Sequence, residues 1–347
     1  MSRTDSRRFT VYVNEASDHT GDSYALLRDS GLNVIVGRAG WDNPGRAMTE
    51  DEMIEAARDA DALLGVSRDR YTRRVMEECT RLRIISKVGV GTEKIDVAAA
   101  TELGVLVGFT PIPENSKPVA EHAVTLMSAL LHTLPDLDRH LRGGGWRGPQ
   151  IHPRSMFGKT VGLIGLGRIG KEAARRLAGW DVTVLAADPY ITAEEAAASH
   201  ARLVPLDELL AAADIISMHV VVTPETRNML GAAEFARMRD GVTIVNTSRG
   251  QVIDEEALAD ALESGKVRAA GLDVFQSEPP DLRHRLFSLP NVIVTPHAAG
   301  FAGESVAANA MAAARNVIAA ARLEDPPYVK NPEALPRWRQ RWAAPNG

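Results

Sequence analysis

The sequence predicts an α/β protein built from two parallel β-sheets. Short apolar runs alternate with longer, helix-like segments in two series, one within the first hundred or so residues and one from Val161 onward. Strands that alternate with helices form βαβ units, and the strands of such units pair in parallel. The 347 residues also suffice for two domains of about 150 residues each. We therefore expect two α/β domains.

The first series predicts five strands, a long helix and a connecting arm. The strands are residues 11–13, 34–36, 62–66, 84–90 and 105–107. An apolar helix is predicted over residues 115–134, with Asn115 and Ser116 as N-cap candidates and Pro118 in the first turn. Residues 142–149 hold four glycines and a proline around Trp146, a composition typical of an arm between elements.

The second series predicts strands that are buried on both faces. They are residues 161–164, 182–187, 215–220, 242–245, 269–274 and 292–295. These runs are continuously apolar, as expected for a parallel sheet covered by helices on each side. Residues 303–322 are alanine-rich and predict a helix, whereas the five prolines from Asp325 onward predict a loose end.

Composition and charge exclude several classes of function. The net charge of −5 gives no electrostatic reason to expect nucleic acid or an anionic membrane as a partner. Cys79 is the only cysteine, so we expect neither a disulfide framework nor a structural zinc site. Residues 1–10 are polar, and no apolar run reaches the roughly 18 residues that a spanning helix needs. We expect a cytoplasmic protein.

A glycine-rich turn, Gly165-Leu166-Gly167-Arg168-Ile169-Gly170, directly follows the predicted strand 161–164. In such a turn the first glycine permits a tight bend, the second lets the backbone approach a pyrophosphate, and the third packs the helix on the strand. Asp188 lies 23 residues beyond Gly165, at the spacing of a carboxylate that binds ribose hydroxyls. A merely compact turn, with Asp188 as a turn former before Pro189, is the alternative. The preceding strand, the spacing and the acidic residue together favour a Rossmann-like domain that binds NAD rather than NADP.

Three further strand ends carry groups suited to hydride chemistry. Arg249 follows the strand at 242, Glu278 follows the strand at 269, and His297 follows the strand at 292. Ligands of open α/β sheets bind at the carboxyl ends of the strands. Reduction of a 2-oxo acid needs a cation for the carboxylate and carbonyl and an acid for the alkoxide, roles that suit Arg249 and His297. Each residue alone has a structural explanation, as a surface ion pair or a satisfied crevice histidine, but their joint placement favours a catalytic set.

Taken in order, these residues resemble the D-isomer-specific 2-hydroxyacid dehydrogenase family, which includes D-3-phosphoglycerate dehydrogenases and glyoxylate or hydroxypyruvate reductases. The likeness covers roughly residues 84–331. The matching stretches are Val88-Gly89-Val90-Gly91 with Ile95-Asp96, Asn115 with Val119-Ala120-Glu121, Gly158-Lys159-Thr160, the glycine-rich turn, Asn246-Thr247-Ser248-Arg249-Gly250, Ala270-Gly271-Leu272-Asp273-Val274-Phe275 through Glu278-Pro279, and Thr295-Pro296-His297.

The resemblance implies a role for each matching residue. Arg249, Glu278 and His297 would be the catalytic set, with Glu278 orienting the imidazole. Backbone amides of Val88, Gly89 and Val90 would hold the carboxylate of a small 2-oxo or 2-hydroxy acid. The implied cofactor-binding residues are Gly165, Gly167, Arg168, Ile169, Gly170, Asp188, Thr223, Thr247 and Asp273, the last against the nicotinamide carboxamide. No metal is implied.

The resemblance also implies the domain organisation. A flavodoxin-like substrate domain of residues 1–107 and 297–330 would be discontinuous, with an NAD-binding Rossmann domain of residues 108–296 inserted and residues 331–347 as a C-terminal tail. The helix 115–134 and the arm at Trp146 would form a homodimer. Because the chain ends soon after its last predicted helix, we expect it to lack the C-terminal regulatory domain of some phosphoglycerate dehydrogenases.

The sequence departs from the family's pattern at two places, and two alternative functions remain open. The segment His219-Val220-Val221-Val222-Thr223 lacks the proline and leucine usual after the strand-end histidine, and Val66 stands where phosphoglycerate enzymes often have a basic residue, with Arg68 and Arg70 close by. An enzyme resembling formate dehydrogenase would pair its histidine with glutamine, which Glu278 argues against. An NAD-sensing corepressor with this fold would keep the same three residues, and a turnover assay separates it from an enzyme.

Overall fold

The computed structural model describes residues 7–39, 47–65, 69–147 and 152–343. The chain divides into a first unit, Met1–Asn115 with Gly303–Gly347, and a second unit, Ser116–Ala302. The first unit is thus discontinuous. The crossings implied by the resemblance are at 107/108 and 296/297, whereas the division of the structure lies at 115/116 and 302/303. The first of these divisions falls inside a helix, Pro113–Leu131.

The elements alternate along the chain as the apolar pattern predicts. The strands are β1 (Thr10–Ala16), β2 (Asn33–Ala39), β3 (Ala62–Gly65), β4 (Ile84–Lys87), β5 (Leu106–Gly108), β6 (Thr160–Ile164), β7 (Thr183–Ala187), β8 (Arg202–Leu203), β9 (Ile215–Met218), β10 (Val242–Asn246), β11 (Val267–Leu272) and β12 (Val292–Val294). The α-helices are α1 (Asp22–Asp29), α2 (Glu50–Ala57), α3 (Arg73–Glu78), α4 (Val97–Leu103), α5 (Pro113–Leu131), α6 (Leu134–Arg142), α7 (Arg168–Leu177), α8 (Ala193–Ala197), α9 (Leu206–Ala212), α10 (Ala232–Arg237), α11 (Glu255–Glu263), α12 (Gly303–Ala321) and α13 (Leu335–Trp342). Short 3₁₀ helices span Gly250–Val252, Arg285–Ser288 and Pro332–Ala334.

The first unit is a parallel sheet covered on both faces. In the described residues its strand order is β2-β1-β3-β4-β5, and every pairing is parallel. Neighbouring residues of β1 point to opposite faces, so Val11 joins one buried cluster and Tyr12 the other. Helix α12 covers the Val11 face together with α1, as the alanine-rich pattern of residues 303–322 predicts.

The C-terminal segment is packed, so the prediction of a loose end from residue 325 is wrong. Trp338 on α13 is fully buried in the core of the first unit. The Asn331 side chain accepts a hydrogen bond from the Val107 N–H at 2.8 Å and donates one to the Val105 carbonyl at 3.0 Å. Pro332 and Pro336 stand in the first turns of their helices, where the missing N–H leaves no helical bond unmade.

The second unit is a larger parallel sheet. Across the described part of the chain its strand order is β12-β11-β10-β9-β6-β7-β8, with all pairings parallel. Strand β8 was missed by the sequence pattern because it has only two residues. The chain winds outward from β6 in one direction through β7 and in the other through β9. Ligands of such sheets bind where the winding reverses, at the carboxyl ends of β6 and β9.

Helix α5 begins earlier than predicted. Its first residue is Pro113, so neither Asn115 nor Ser116 caps it, and Pro118 lies inside the helix rather than in its first turn. A proline is favoured at the first helical position because its fixed backbone angle suits the helix and its missing N–H needs no partner there. The buried face of α5 includes Leu126 and Leu130, which lie close to Gly271 of β11.

Helix α6 and the arm after it leave apolar side chains exposed. Leu134 is 58% exposed, Leu141 59% and Trp146 73%. Pro149 of the predicted arm lies outside the described residues. Among the residues that the structure describes, no helix has the length and apolarity needed to cross a membrane.

Candidate active site

The glycine-rich turn connects β6 to α7 and leaves space above its centre. Gly165 has φ +93°, and a Cβ there would lie 2.6 Å from the His219 carbonyl oxygen. A Cβ at Gly170 would lie 2.3 Å from the Gly165 oxygen, so packing explains both of these glycines. At Gly167 a Cβ would meet no atom within 4 Å. Close approach of a ligand to this backbone explains Gly167, and the first N–H groups of α7 lie beside it.

Asp188 follows β7 and is tied to the same turn. One carboxylate oxygen accepts a hydrogen bond from the Leu166 N–H at 2.7 Å, and the other accepts one from the Tyr190 N–H at 2.9 Å. An ionised carboxylate has about four acceptor sites, so two remain. Asp188 is partly exposed, and its remaining acceptor sites suit ribose hydroxyls.

Buried polar atoms without hydrogen-bond partners lie just after β9 and just after β10. Within the described residues, the Thr247 Oγ1 after β10 and both ring nitrogens of His219 after β9 have no hydrogen-bond partner. His219 as a residue is partly exposed although its ring nitrogens are buried. Burial lowers the pKa of His219 to about 4, so the ring is neutral at physiological pH. Buried polar atoms are seldom left unsatisfied, and a dinucleotide bound over the glycine turn would explain these.

His219 was not among the residues predicted for the site. Its segment stood out only because it lacks the proline and leucine usual in the family. The available signal was a polar residue directly after a buried strand, similar to the position of Arg249 in the loop after β10. Thr223, further along this loop, exchanges hydrogen bonds with Thr226, its N–H donating to Thr226 Oγ1 at 2.7 Å. The loop is therefore a folded turn, with Val221 exposed on it.

Glu278 and His297 form a hydrogen-bonded pair. His297 Nδ1 lies 2.7 Å from Glu278 Oε2, and Glu278 Oε1 accepts the Phe275 N–H at 3.1 Å. Burial would raise the pKa of Glu278, but the hydrogen bond and charge of His297, the Phe275 N–H and the charge of Arg249 together hold that pKa below its ordinary value. Glu278 is therefore an anion at neutral pH. With Nδ1 facing Glu278, Nε2 of His297 is the nitrogen that can exchange a proton with a substrate.

Arg249 lies in a loop that is pressed against the Glu278 loop. A Cβ at Gly250 would lie 1.9 Å from the Phe275 carbonyl carbon, so only glycine allows this approach. The Asn246 side chain shapes the loop by donating to the Arg249 carbonyl at 2.8 Å and accepting the Ser248 N–H at 3.0 Å. The Arg249 charge contributes to the lowered pKa of Glu278, which brings the three predicted catalytic residues into one electrostatic cluster.

Asp273 lies under the His297 turn. Its carboxylate is fully buried and accepts the Thr295 hydroxyl at 2.5 Å, the Ala298 N–H at 2.8 Å and the Ala299 N–H at 3.0 Å. The carboxylate thus has bonding partners within its own unit and faces no solvent.

The loop after β4 belongs to the first unit. The Val88 N–H donates to the Gly65 carbonyl at 2.9 Å, and the Gly89 N–H donates to Thr110 Oγ1 at 2.7 Å. Of the three amides expected to bind substrate, the described structure leaves only that of Val90 without an acceptor. Lys87 is buried, and its ammonium donates to the Val88 carbonyl at 2.8 Å. Val66 and Arg68 lie outside the described residues.

The described residues contain no group of three or more His, Cys, Asp or Glu arranged to hold a metal ion.

Comparison with known proteins agrees with this geometry. The family model for the D-isomer specific 2-hydroxyacid dehydrogenase, NAD binding domain, matches residues 124–299. The chain belongs to this family. The matched range covers β6 to β12 of the second unit, so that unit is the family's NAD-binding domain, and both the predicted family and the predicted cofactor are confirmed.

Relatives in the family include enzymes of two named kinds. A D-3-phosphoglycerate dehydrogenase of Archaeoglobus fulgidus is 38% identical over 279 residues, covering 80% of this chain and 51% of the relative. A glyoxylate reductase of Korarchaeum cryptofilum is 37% identical over 288 residues, covering 82% of this chain and 86% of the relative. The chain spans about half the length of the phosphoglycerate dehydrogenases it matches.

Solved structures of the family share the fold. The apo-structure of D-lactate dehydrogenase from Escherichia coli aligns with a TM-score of 0.79 at 30% identity, covering 92% of this chain and 99% of that one. The predicted fold of two parallel-sheet α/β domains is confirmed.

Proposed function

We propose that this family member is an NAD-dependent oxidoreductase that transfers a hydride between NAD(H) and a small D-2-hydroxy acid or its 2-oxo acid. The observation that supports this most directly is the pairing of His297 Nδ1 with Glu278 Oε2 at 2.7 Å, beside Arg249 and in the same unit as the glycine turn. A proton donor, a carboxylate that orients it and a guanidinium are the groups that carbonyl reduction needs.

The cofactor would be held by groups already in place. The pyrophosphate would lie over Gly167 at the start of α7, and Asp188 would accept hydrogen bonds from ribose hydroxyls. Gly165, Arg168, Ile169, Gly170, Thr223 and Thr247 belong to the same proposed binding surface. When bound, NADH supplies the hydride that reduces the carbonyl carbon. The carboxylate of Asp188 would repel the 2′-phosphate of NADPH, and this favours NAD.

His297 would supply the proton. In the reductive direction its Nε2 donates a proton to the alkoxide oxygen, and in the oxidative direction the neutral ring accepts the proton from the hydroxyl group. Glu278 remains an anion in both directions because its pKa is held below the ordinary value. Its negative charge stabilises the imidazolium form that reduction requires.

Arg249 would bind the substrate. A guanidinium offers paired N–H donors in a plane that match a carboxylate, and it can also polarise the neighbouring carbonyl. The Val90 amide is the one of the three predicted backbone donors that we retain for the substrate carboxylate, because the Val88 and Gly89 amides have other acceptors.

The assembly and location are parts of the same proposal. The exposed Leu134, Leu141 and Trp146 would be covered in a homodimer, since exposed apolar side chains favour association. A reducing compartment, the cytoplasm, suits a chain whose single cysteine, Cys79, is buried and whose thiol has its pKa raised to about 11 by burial.

A substrate panel tests the proposed reaction. NADH oxidation would be measured with glyoxylate, hydroxypyruvate, 3-phosphohydroxypyruvate and pyruvate, and we expect turnover with at least one of them. His297→Ala should lower that turnover by a factor of about 10² to 10⁴. If NADH binds and no 2-oxo acid of the panel or of other chain lengths is reduced, the oxidoreductase proposal is wrong and an NAD-sensing interaction protein becomes the better explanation.

A further inference from the structure

A chain of hydrogen bonds links helix α5 to the turn that carries His297. His122 on α5 has its Nε2 3.1 Å from Thr295 Oγ1 and 3.9 Å from Asp273 Oδ1. Thr295 Oγ1 donates to Asp273 Oδ1 at 2.5 Å. His122 is a quarter exposed, whereas the Asp273 carboxylate is fully buried. This series of hydrogen bonds therefore runs from a partly exposed helix face to a buried carboxyl group.

The proton positions in this series of hydrogen bonds follow from the donors available. A threonine hydroxyl has one proton, and the Thr295 hydroxyl gives it to Asp273, since an ionised carboxylate can only accept. Thr295 Oγ1 must then be the acceptor in its contact with His122. His122 consequently carries a proton on Nε2, and this fixes the tautomer of the neutral ring.

The Asp273 carboxylate in turn shapes the His297 backbone. It accepts the N–H groups of Ala298 and Ala299, and the Asp273 carbonyl accepts the His297 N–H at 2.8 Å. His297 has φ +52°, in the left-handed region that residues other than glycine rarely adopt. Such a conformation persists only where surrounding bonds hold it.

We propose that His122, Thr295 and Asp273 are positioning residues, which hold the His297 turn in the conformation that presents Nε2 to the substrate. This rests on the proposed function of His297 as the acid–base group. It gives Asp273 a different role from the nicotinamide contact that family resemblance implies. Among the described residues, the hydrogen bonds that its carboxylate oxygens accept come from the turn that carries His297. It also gives His122 a role that no strand-end signal indicates.

The first experiment compares variants that differ only in the hydroxyl of residue 295. Thr295→Val keeps the branched shape but removes the hydroxyl, whereas Thr295→Ser keeps the hydroxyl. We expect kcat for 2-oxo acid reduction to fall roughly 10- to 100-fold in the valine variant, since small displacements of a reacting group cost that much. The serine variant should recover most of kcat. The Kd for NADH, measured by the fluorescence of the bound cofactor, should stay close to the wild-type value in both.

A second pair covers the case in which the valine variant does not fold. His122→Leu removes the ring donor on a partly exposed helix face, and His122→Gln keeps a side-chain N–H. We expect the leucine variant to lose kcat with an unchanged NADH Kd, and the glutamine variant to lose less. Thermal unfolding of each variant shows whether the fold is kept.

Nitrogen-15 NMR of the histidine rings gives a readout independent of turnover. The ring of His122 should show a proton on Nε2 in the cofactor-free wild type, and this pattern should weaken in Thr295→Val. If the wild-type protein turns over no 2-oxo acid, the proposed function fails while this pattern can still be observed. The positioning role is wrong if Thr295→Val and Thr295→Ser have equal kcat. It is also wrong if the variants of Thr295 or of His122 raise the Kd for NADH instead of lowering kcat, or if His122 carries its proton on Nδ1 alone.

Discussion

Single residues of the candidate site differ in how far the sequence reveals them. Arg249, Glu278 and His297 were found because each follows an apolar strand, and parallel strands present their carboxyl ends at one edge of a sheet. The strand before His297, β12, lies at the edge of its sheet and is partly exposed rather than buried on both faces as predicted. His122 gave no such signal, because it lies in the middle of a helix and its partner Thr295 is distant in sequence. Val88 and Gly89 were assigned amides that could bind substrate, and only the fold shows that Gly65 and Thr110 already accept from them.

Glu278→Gln tests whether the carboxylate sets the proton affinity of the imidazole. Because the pKa of Glu278 is held low, wild-type His297 faces an anion throughout the neutral range. Glutamine keeps a similar shape but removes the charge, so the imidazolium loses its stabilising partner. The alkaline limb of kcat/KM for reduction should move toward lower pH by about one unit. The profiles would be recorded for both proteins with saturating NADH, and an unshifted limb with intact cofactor binding would contradict the assignment.

Asp188→Ser tests the choice of cofactor. Loss of hydrogen bonds to an ionised carboxylate costs about 1.5 to 3 kcal/mol, so NADH should bind roughly ten- to a hundredfold more weakly. NADPH should lose much less, since removal of the charge also removes repulsion of its phosphate. Both Kd values would be measured by cofactor fluorescence.

Asp240→Ser is a suitable control for that comparison. Asp240 precedes β10 and so lies at the amino ends of the strands, whereas Asp188 lies at the carboxyl ends. The Asp240 carboxylate forms an ion pair with Lys266 at 2.7 Å. This variant should leave both cofactor affinities unchanged. Equal losses of NADH and NADPH binding in Asp188→Ser would mean that Asp188 only supports the glycine turn through the Leu166 N–H.

At the scale of elements, apolar patterns predicted strands well and helix ends less well. The parallel strands are continuous apolar runs with helices on both sides, which leaves little ambiguity. Strand β8 has two residues and shows no pattern. The C-terminal segment was misjudged because prolines were counted as breakers without regard to position, whereas Pro332 and Pro336 stand in first turns of helices, where proline is favoured.

Trp338→Ala tests whether α13 stabilises the first unit. Trp338 is fully buried and belongs to the same apolar cluster as Val317 of α12. Truncating a buried aromatic side chain costs about 3 to 5 kcal/mol, so chemical unfolding monitored by circular dichroism should show a loss of that size for this unit. Trp342→Ala is a matched control, because Trp342 is only partly buried and stacks on the Arg83 guanidinium at 4.6 Å. A loss below about 1 kcal/mol in Trp338→Ala would mean that α13 contributes little to the fold.

At the scale of the whole molecule, the apolar pattern predicted two sheets, and the family resemblance implied a discontinuous first unit with crossings at 107/108 and 296/297. The first crossing lies at Asn115, within α5, and a continuous helix carries no local signal of a boundary. The winding order of the second sheet is a global property, yet it decides which strand ends meet. It places the glycine turn after β6 beside His219 after β9, and this makes His219 part of the site.

That placement predicts how the stability of the second unit depends on pH. Burial lowers the pKa of His219 from 6.5 to about 4. Between these values the unfolded chain binds a proton that the folded protein does not, so stability falls as pH falls through this window, by at most about 1.4 kcal/mol per unit. Glu278 has a lowered pKa, and its stabilising contribution is lost only at more acid pH, as pH falls from its ordinary value of 4.5 through the folded value.

His219→Leu should therefore flatten the stability curve of the cofactor-free protein between about pH 6.5 and pH 4 and leave the more acid part unchanged. Urea unfolding at a series of pH values measures this slope. His200→Asn serves as the control, because His200 is exposed and its removal should leave the slope as in the wild type. If His219→Leu and the wild-type protein lose stability in parallel across this window, the neutral buried ring is not the source of the acid sensitivity. A flattened curve would establish that an uncharged imidazole lies beneath the glycine turn, available to the cofactor as a donor or acceptor without adding charge.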